Sequence, residues 1–348
     1  MSLTAGKIKG LEAVSNQRGI IAALAMDQRG SLEQALKGAG MQSVSDEEMQ
    51  QFKVSVAEIL SPYASAMLLD TEYGLPAAAK RDKSAGLLLA YEKSGYDNTR
   101  PGRMPDLLEH LSARRIGEKG ADAVKLLLYF TPEEKDEIND EKFAFIERVG
   151  DECRGADIPF FLEPVSYDPG GGDVKGIEFA RKKPQLVIES MKEFSKDRYG
   201  VDILKVEIPV NMKFVEGQSD QTAYSHQEAI EYFQQAAQAA GKPFIYLTAG
   251  VSNKTFTDSL EMATEAGVKF AGVLAGRATW LDGVKVYAAD GNDAFRRWLE
   301  TQGVENIQAI NERLRGAQPW YAFYGASSPQ DVLNSSGTPS ARQAVTAG

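Results

Sequence analysis

Cysteine is nearly absent from this chain of 348 residues. Cys153 stands alone, so no internal disulfide framework can form, and a reducing compartment such as the cytoplasm is expected. Histidine is almost as scarce: His110 and His226 are the only two, both in or beside helix-like stretches and away from strand ends. A zinc site wants several His or Cys ligands, and a Ser-His-acid triad wants a histidine at a strand end, so both chemistries are disfavoured and no metal or other cofactor is expected. An excess of positive charge is missing too. With 39 basic and 49 acidic residues the net charge is −10, which argues against nucleic acid or an anionic membrane surface as a partner. No apolar run approaches the length of a membrane span. The first eleven residues carry Lys7 and Lys9 but no apolar core, so no signal peptide is expected. Finally, Met26-Asp27-Gln28-Arg29-Gly30 follows the first strand-like run where a doubly wound dinucleotide-binding sheet would place a glycine-rich fingerprint.

What is present is a rhythm. Hydrophobic residues make up 43% and charged residues 25%, an ordinary globular balance. Short, nearly continuous apolar runs recur at 20–28, 65–74, 86–92, 121–130, 159–167, 201–209, 243–250 and 270–277, as strands covered on both faces should read. Helix-like segments lie between them at 46–60, 105–119, 133–153, 184–196, 227–240, 253–266 and 293–314, while 75–84 shows no convincing helix. Eight runs alternating with helices predict an α/β fold, a single-domain (β/α)8 TIM barrel over residues 1–320 with an extra N-terminal helix. The tail, 321–348, turns rich in Ser, Gly, Pro, Gln and Thr from Ser327 and is expected to be loosely ordered.

Two of the runs share a local repeat. Gly120-Ala121-Asp122-Ala123-Val124-Lys125 matches Gly200-Val201-Asp202-Ile203-Leu204-Lys205 on the fourth and sixth strands. Side chains in one interior layer of such a barrel come from alternate strands, so Lys125 and Lys205 are expected to point inward as neighbours. A buried ammonium must be paired or lose its proton. Two close ammonium groups disfavour each other's charge, one way to make an amine nucleophilic near neutral pH. The competing explanations are chance similarity between two buried strands and a structural pairing of Lys205 with Glu207, two residues on and on the same face.

Carboxylates close other strands. Asp27 ends the first, Asp70 and Glu72 the second, and Glu163 lies in Phe160-Phe161-Leu162-Glu163-Pro164 of the fifth. Strand-end acids converge on one mouth, where barrel active sites lie and where Schiff-base chemistry would need proton shuttles. Capping of the next helix is the competing role, stronger for Asp70 than for Glu163, which Pro164 follows. Phosphate sites in barrels form after strands seven and eight. Those loops read Leu247-Thr248-Ala249-Gly250-Val251-Ser252 and Leu274-Ala275-Gly276-Arg277, where glycines let backbone N–H groups approach an anion and Arg277 adds a forked donor.

With these residues in view, the chain resembles bacterial class I tagatose-1,6-bisphosphate aldolases from about Leu11 to Trp320. The resemblance is carried by Met26-Asp27-Gln28-Arg29-Gly30, Leu68-Leu69-Asp70 with Glu72-Tyr73-Gly74-Leu75-Pro76, Gly86-Leu87-Leu88-Leu89-Ala90-Tyr91-Glu92-Lys93, Leu204-Lys205-Val206-Glu207-Ile208-Pro209-Val210-Asn211-Met212 and Gly276-Arg277-Ala278-Thr279-Trp280. It implies a phosphorylated ketohexose as substrate, a Schiff base on Lys205, and supporting roles for Asp27, Lys125 and Glu163. On that mechanism Lys125 favours the unprotonated form of Lys205, Glu163 shuttles protons as the iminium forms, and Asp27 or Glu163 accepts the C4 hydroxyl proton. Gln28 contacts the substrate. Thr248, Gly250, Gly276 and Arg277 hold the C1 phosphate, and Arg29 is the candidate for the distal anion. Thr248 stands where the family has serine, with the hydroxyl kept, and the tail is longer than the family's. Aldolases of 6-deoxy-6-sulfofructose 1-phosphate, which the family also resembles, share the barrel and the lysine and differ at the pocket for the distal anion, so the resemblance does not separate a 6-phosphate from a 6-sulfonate. A sugar-phosphate isomerase or a non-catalytic sensor would keep the phosphate loops without a Schiff base. A homo-oligomer is compatible with the sequence, which does not fix the oligomeric state.

Overall fold

Each of the eight apolar runs forms a strand, shorter than the run because the run ends spill into the mouth loops. The computed structural model describes residues 3–335. Its strands are β1 (Ile21–Met26), β2 (Ala66–Leu69), β3 (Gly86–Ala90), β4 (Ala123–Tyr129), β5 (Phe160–Val165), β6 (Ile203–Val206), β7 (Phe244–Leu247) and β8 (Gly272–Ala275). They close into one parallel barrel in sequence order, with β8 paired to β1. Alternation divides the core in two. Ala23, Ala25, Leu68, Leu88, Ala90, Ala123, Phe161, Ile203, Ile245 and Leu274 fill the barrel. Their neighbours Leu24, Met67, Leu89, Val124, Leu126, Leu162, Leu204 and Val273 pack outward against the helices.

The repeated hexapeptide is a strand-entry device. Gly120 and Gly200 both adopt positive φ, 86° and 63°. Asp122 Oδ2 then accepts from Leu87 N on β3 at 2.8 Å, and Asp202 Oδ2 accepts from Phe160 N on β5 at 2.8 Å. Each aspartate pins its strand to the preceding one, and three residues later a lysine faces the interior. Chance similarity therefore does not describe the pair.

Several elements depart from expectation. Residues 75–84 hold a short helix, Leu75–Lys80, whose first turn takes Pro76 where no N–H is needed. The segment 105–119 is helical only at Ala113–Glu118, with Ser112 as its cap accepting from Arg115 N. Residues ahead of it form an irregular loop held by the bridges Glu92–Leu107 and Asp97–Met104. The helix expected from Pro184 starts at Ile177 and carries Pro184 in its interior. The long helix expected at 293–314 is instead Gly283–Trp298, broken at Gly291, a wider turn at Leu299–Gly303, and Val304–Arg313. Asp46–Leu60 matches its expected bounds because Ser45 and Glu48 form a capping box.

The opposite, N-terminal end of the barrel is sealed by the helix Ala5–Ala13, whose Lys7 pairs with Asp202 at 2.7 Å. Against it pack Trp320 and Val332, the latter from a helix at Pro329–Ser335. The stretch 321–335 is thus more ordered than its composition implied, because a few apolar side chains there find the barrel floor. The remainder of the expected tail, 336–348, lies outside the described residues. No helix among the described residues is long and apolar enough to cross a membrane.

Candidate active site

The same alternation that fills the barrel with alanines and aliphatics carries charge to its mouth. Two residues beyond Ala25, Ala90, Ala123, Phe161 and Ile203, on the same inward face, stand Asp27, Glu92, Lys125, Glu163 and Lys205. Five strands deliver one charged group each. Lys125 Nζ lies at the centre, 2.8 Å from Asp27 Oδ2, 2.6 Å from Glu92 Oε1 and 2.8 Å from Glu163 Oε2. Lys205 Nζ pairs with Glu163 Oε1 at 2.8 Å, its one carboxylate partner among the described residues. Glu163 therefore bridges both ammonium groups with its two oxygens. The lysines are 1% and 4% exposed, so the cluster is held out of water.

Electrostatics fixes the charge of Lys125. Burial alone would strip the proton from Lys125, but the charges of Asp27, Glu163 and Glu92 outweigh it and hold the amine well above its ordinary value. Lys125 is a fixed cation, and the mutual weakening expected from the sequence does not operate on it. Asp27 behaves reciprocally: burial pushes its carboxyl up, and Lys125 and then Lys205 pull it well below the usual carboxylate range. Asp27 Oδ1 is buried without a hydrogen-bond partner among the described residues, as is Gln28 Oε1. Both are acceptors that a ligand hydroxyl or amide could satisfy.

Glu207 is not the partner of Lys205. Its carboxylate accepts from Ser166 N at 2.8 Å and from the Ser166 hydroxyl, and it lies 3.5 Å from Lys183 Nζ. Asp70 and Glu72 also stay outside the cluster. Asp70 accepts from the backbone N–H groups of Glu72 and Tyr73 and pairs with the buried Lys53, which in turn donates to the carbonyls of Met26 and Gln28. That ion pair shapes the loop carrying Asp27 and Gln28. Arg29 is buried beside the cluster but occupied: it donates to the Glu92 carbonyl at 2.8 Å and lies 3.4 Å from Glu72 Oε1.

The loops after β7 and β8 assemble as one feature. Gly276 N donates to Thr248 Oγ1 at 3.4 Å. Ala249 and Gly250 both have positive φ, 48° and 77°, and a Cβ placed on Gly250 would stand 2.6 Å from Arg277 Cζ. The arginine lies on the bare glycine backbone, so any larger residue there would displace it. A Cβ on Gly276 would lie 3.2 Å from Gln28 Nε2, which brings Gln28 to the edge of the same feature.

Sequence reading overlooked Glu92. The signal was present, since it closes the third run two residues after the inward Ala90, in phase with the other four. Its second oxygen accepts from Leu127 N at 3.1 Å, tying β3 to β4. His110 and His226 lie on the surface, and no group of three His, Cys, Asp or Glu side chains is placed to hold a metal ion among the described residues.

The family described as DeoC/LacD aldolases matches residues 21–282. Tagatose 1,6-diphosphate aldolase of Listeria monocytogenes is 51% identical over 336 residues, covering 96% of this chain and 99% of that protein. The enzyme named tagatose 1,6-diphosphate aldolase 2 of Enterococcus faecalis is 52% identical over 324 residues, covering 92% and 98%. Among solved structures, a fructose-bisphosphate aldolase from Plasmodium falciparum superposes with TM-score 0.66 at 13% identity, over 91% of this chain and 97% of that one, a likeness of fold. With the family model spanning residues 21–282 and relatives 51–52% identical over nearly their full length, this chain belongs to the DeoC/LacD family of aldolases.

Proposed function

We propose that the chain is a class I tagatose-1,6-bisphosphate aldolase that cleaves its substrate to dihydroxyacetone phosphate and glyceraldehyde 3-phosphate through a Schiff base on Lys205. The observation that carries the reading is the asymmetry between the two buried amines. Lys125 is locked as a cation by three carboxylates, whereas Lys205 shares a single one. The names of the relatives supply the substrate.

On this reading the Lys205 amine adds to the C2 ketone, and Glu163, within hydrogen-bond distance of Nζ, moves the protons that turn the carbinolamine into iminium plus water. Glu163 then accepts the C4 hydroxyl proton as the C3–C4 bond breaks, and the bonding electrons pass to the iminium nitrogen to leave an enamine. Protonation at C3 and hydrolysis release the second product and restore the lysine. Asp27, held ionised, is a weak base and instead orients a substrate hydroxyl through its unpartnered Oδ1. Lys125 fixes the three carboxylates and stabilises developing negative charge. Thr248, Gly250, Gly276 and Arg277 hold the C1 phosphate, with Gln28 beside them. The iminium is the electron sink, so no metal or cofactor is required, and activity should survive exhaustive EDTA treatment.

Borohydride added with dihydroxyacetone phosphate should inactivate the protein and leave a mass increment on the peptide containing Lys205. Lys205→Ala should abolish trapping, and Lys125→Ala should slow it without moving the label. A label on Lys125, or cleavage without any trapped adduct, would overturn the mechanism. A panel of tagatose and fructose bisphosphates with sulfofructose phosphate tests the substrate, and a preference for the sulfonate would replace the one proposed.

A further inference from the structure

A further cation stands over the same mouth, and the chemistry above does not use it. Arg103 lies in the irregular loop after β3 with φ of 48°, a conformation that a non-glycine residue adopts only under local constraint. Its guanidinium carbon is 5.0, 5.2 and 5.1 Å from the ring centroids of Tyr96, Tyr129 and Tyr167. Tyr129 closes β4 on the inward face that also carries Lys125, and Tyr167 follows the end of β5 beyond Glu163. The outward Leu126 and Leu128 are buried, while the inward Leu127 and Tyr129 are part-exposed, as residues facing an open mouth should be. The cage therefore rests on two of the five strands that carry the charge cluster, nearer the open end.

The cage is anchored. Tyr167 OH lies 3.1 Å from the Gly102 carbonyl and 2.7 Å from Glu134 Oε2, and Lys142 Nζ donates to it at 3.0 Å. Asp97 N donates to the Met104 carbonyl at 3.0 Å and closes the loop around Arg103. Glu134 is held by Tyr167, and among the described residues no carboxylate pairs with Arg103 and no hydrogen bond consumes its donors. Aromatic faces engage a guanidinium through its π surface and leave in-plane N–H donors for an anion. Arg29, the sequence candidate for the distal anion, already donates to the Glu92 carbonyl and faces Glu72.

We propose that Arg103 is the specificity residue for the anionic group at the end of the ketose far from C1, its donors binding the distal phosphate while Arg277 holds the C1 phosphate. This rests on the aldolase reading above. The test compares kcat/KM for a ketohexose 1,6-bisphosphate with that for the 1-phosphate lacking the distal group. Wild-type protein should prefer the bisphosphate. In Arg103→Ala that preference should fall on the order of 10- to 100-fold, through KM for the bisphosphate, as loss of a charge-assisted contact predicts. Arg103→Gln, which keeps a planar group in the cage without the charge, should lose the preference likewise, whereas Arg277→Ala should impair both substrates. A preference unaltered in both Arg103 variants overturns this inference alone, as does an equal loss on both substrates. A wild-type protein that cleaves neither ketose overturns it together with the reading it rests on.

Discussion

Lys125 and Lys205 differ in neighbours more than in burial. A lysine among three carboxylates keeps its proton and acts as a fixed positive charge, whereas Lys205 meets a single carboxylate. The same field acts on Asp27, and stability should record it. Its folded-state value is depressed, so its stabilising charge is fully present above the ordinary value of 3.8 and is lost as pH falls toward the folded value. Asp27→Asn should lie about 2 kcal/mol below the parent near neutral pH, and the gap should close on acidification. Urea unfolding across pH measures this. A gap that stays constant from neutral to acid would assign the loss to packing.

The β7 loop shows how an element shapes a surface from backbone. Ala249 and Gly250 hold consecutive positive φ values, and Arg277 rests where a Gly250 side chain would be. Gly250→Ala meets both obstacles, a strained φ and a clash with the guanidinium. We expect KM for a C1-phosphorylated ketose to rise on the order of tenfold and stability to fall by about 1 kcal/mol, with borohydride labelling of Lys205 retained. An unchanged KM in steady-state kinetics would place the phosphate elsewhere. The loop after β3 differs: it is irregular, tied by the bridges Glu92–Leu107 and Asp97–Met104, with Glu92 at its root and Arg103 in a tyrosine cage.

For the whole molecule, chemistry and sealing lie at opposite ends of the barrel. The mouth holds five charged strand ends, while the floor holds the helix Ala5–Ala13 with Trp320 and Val332, the last 2% exposed. Val332→Asp buries an uncompensated carboxylate and should lower stability by at least about 2 kcal/mol. Because it acts far from the mouth, kcat of the folded fraction should be retained. A melting curve equal to the parent's would show that the helix Pro329–Ser335 does not seal the floor.

The eight strands, their inward phase and the pairing of a lysine repeat with strand-end acids were legible in the sequence, because a period of two along a buried strand fixes which side chains meet at the axis. That the loops after the last two strands lie together was legible from their place in the barrel. Which carboxylate meets which amine was not. Glu163 rather than Glu207 reaches Lys205, since Ser166 and Lys183 draw Glu207 aside, and Glu92 joins only because β3 brings it beside β4. Arg29 reads in the sequence as the candidate for the distal anion and in the fold donates to the Glu92 carbonyl, while Arg103 lies in a stretch the sequence left unassigned and emerges in a tyrosine cage. Alternation is local and can be read along one strand. Partnership between charges depends on distances across strands far apart in the chain, and only the closed barrel sets those.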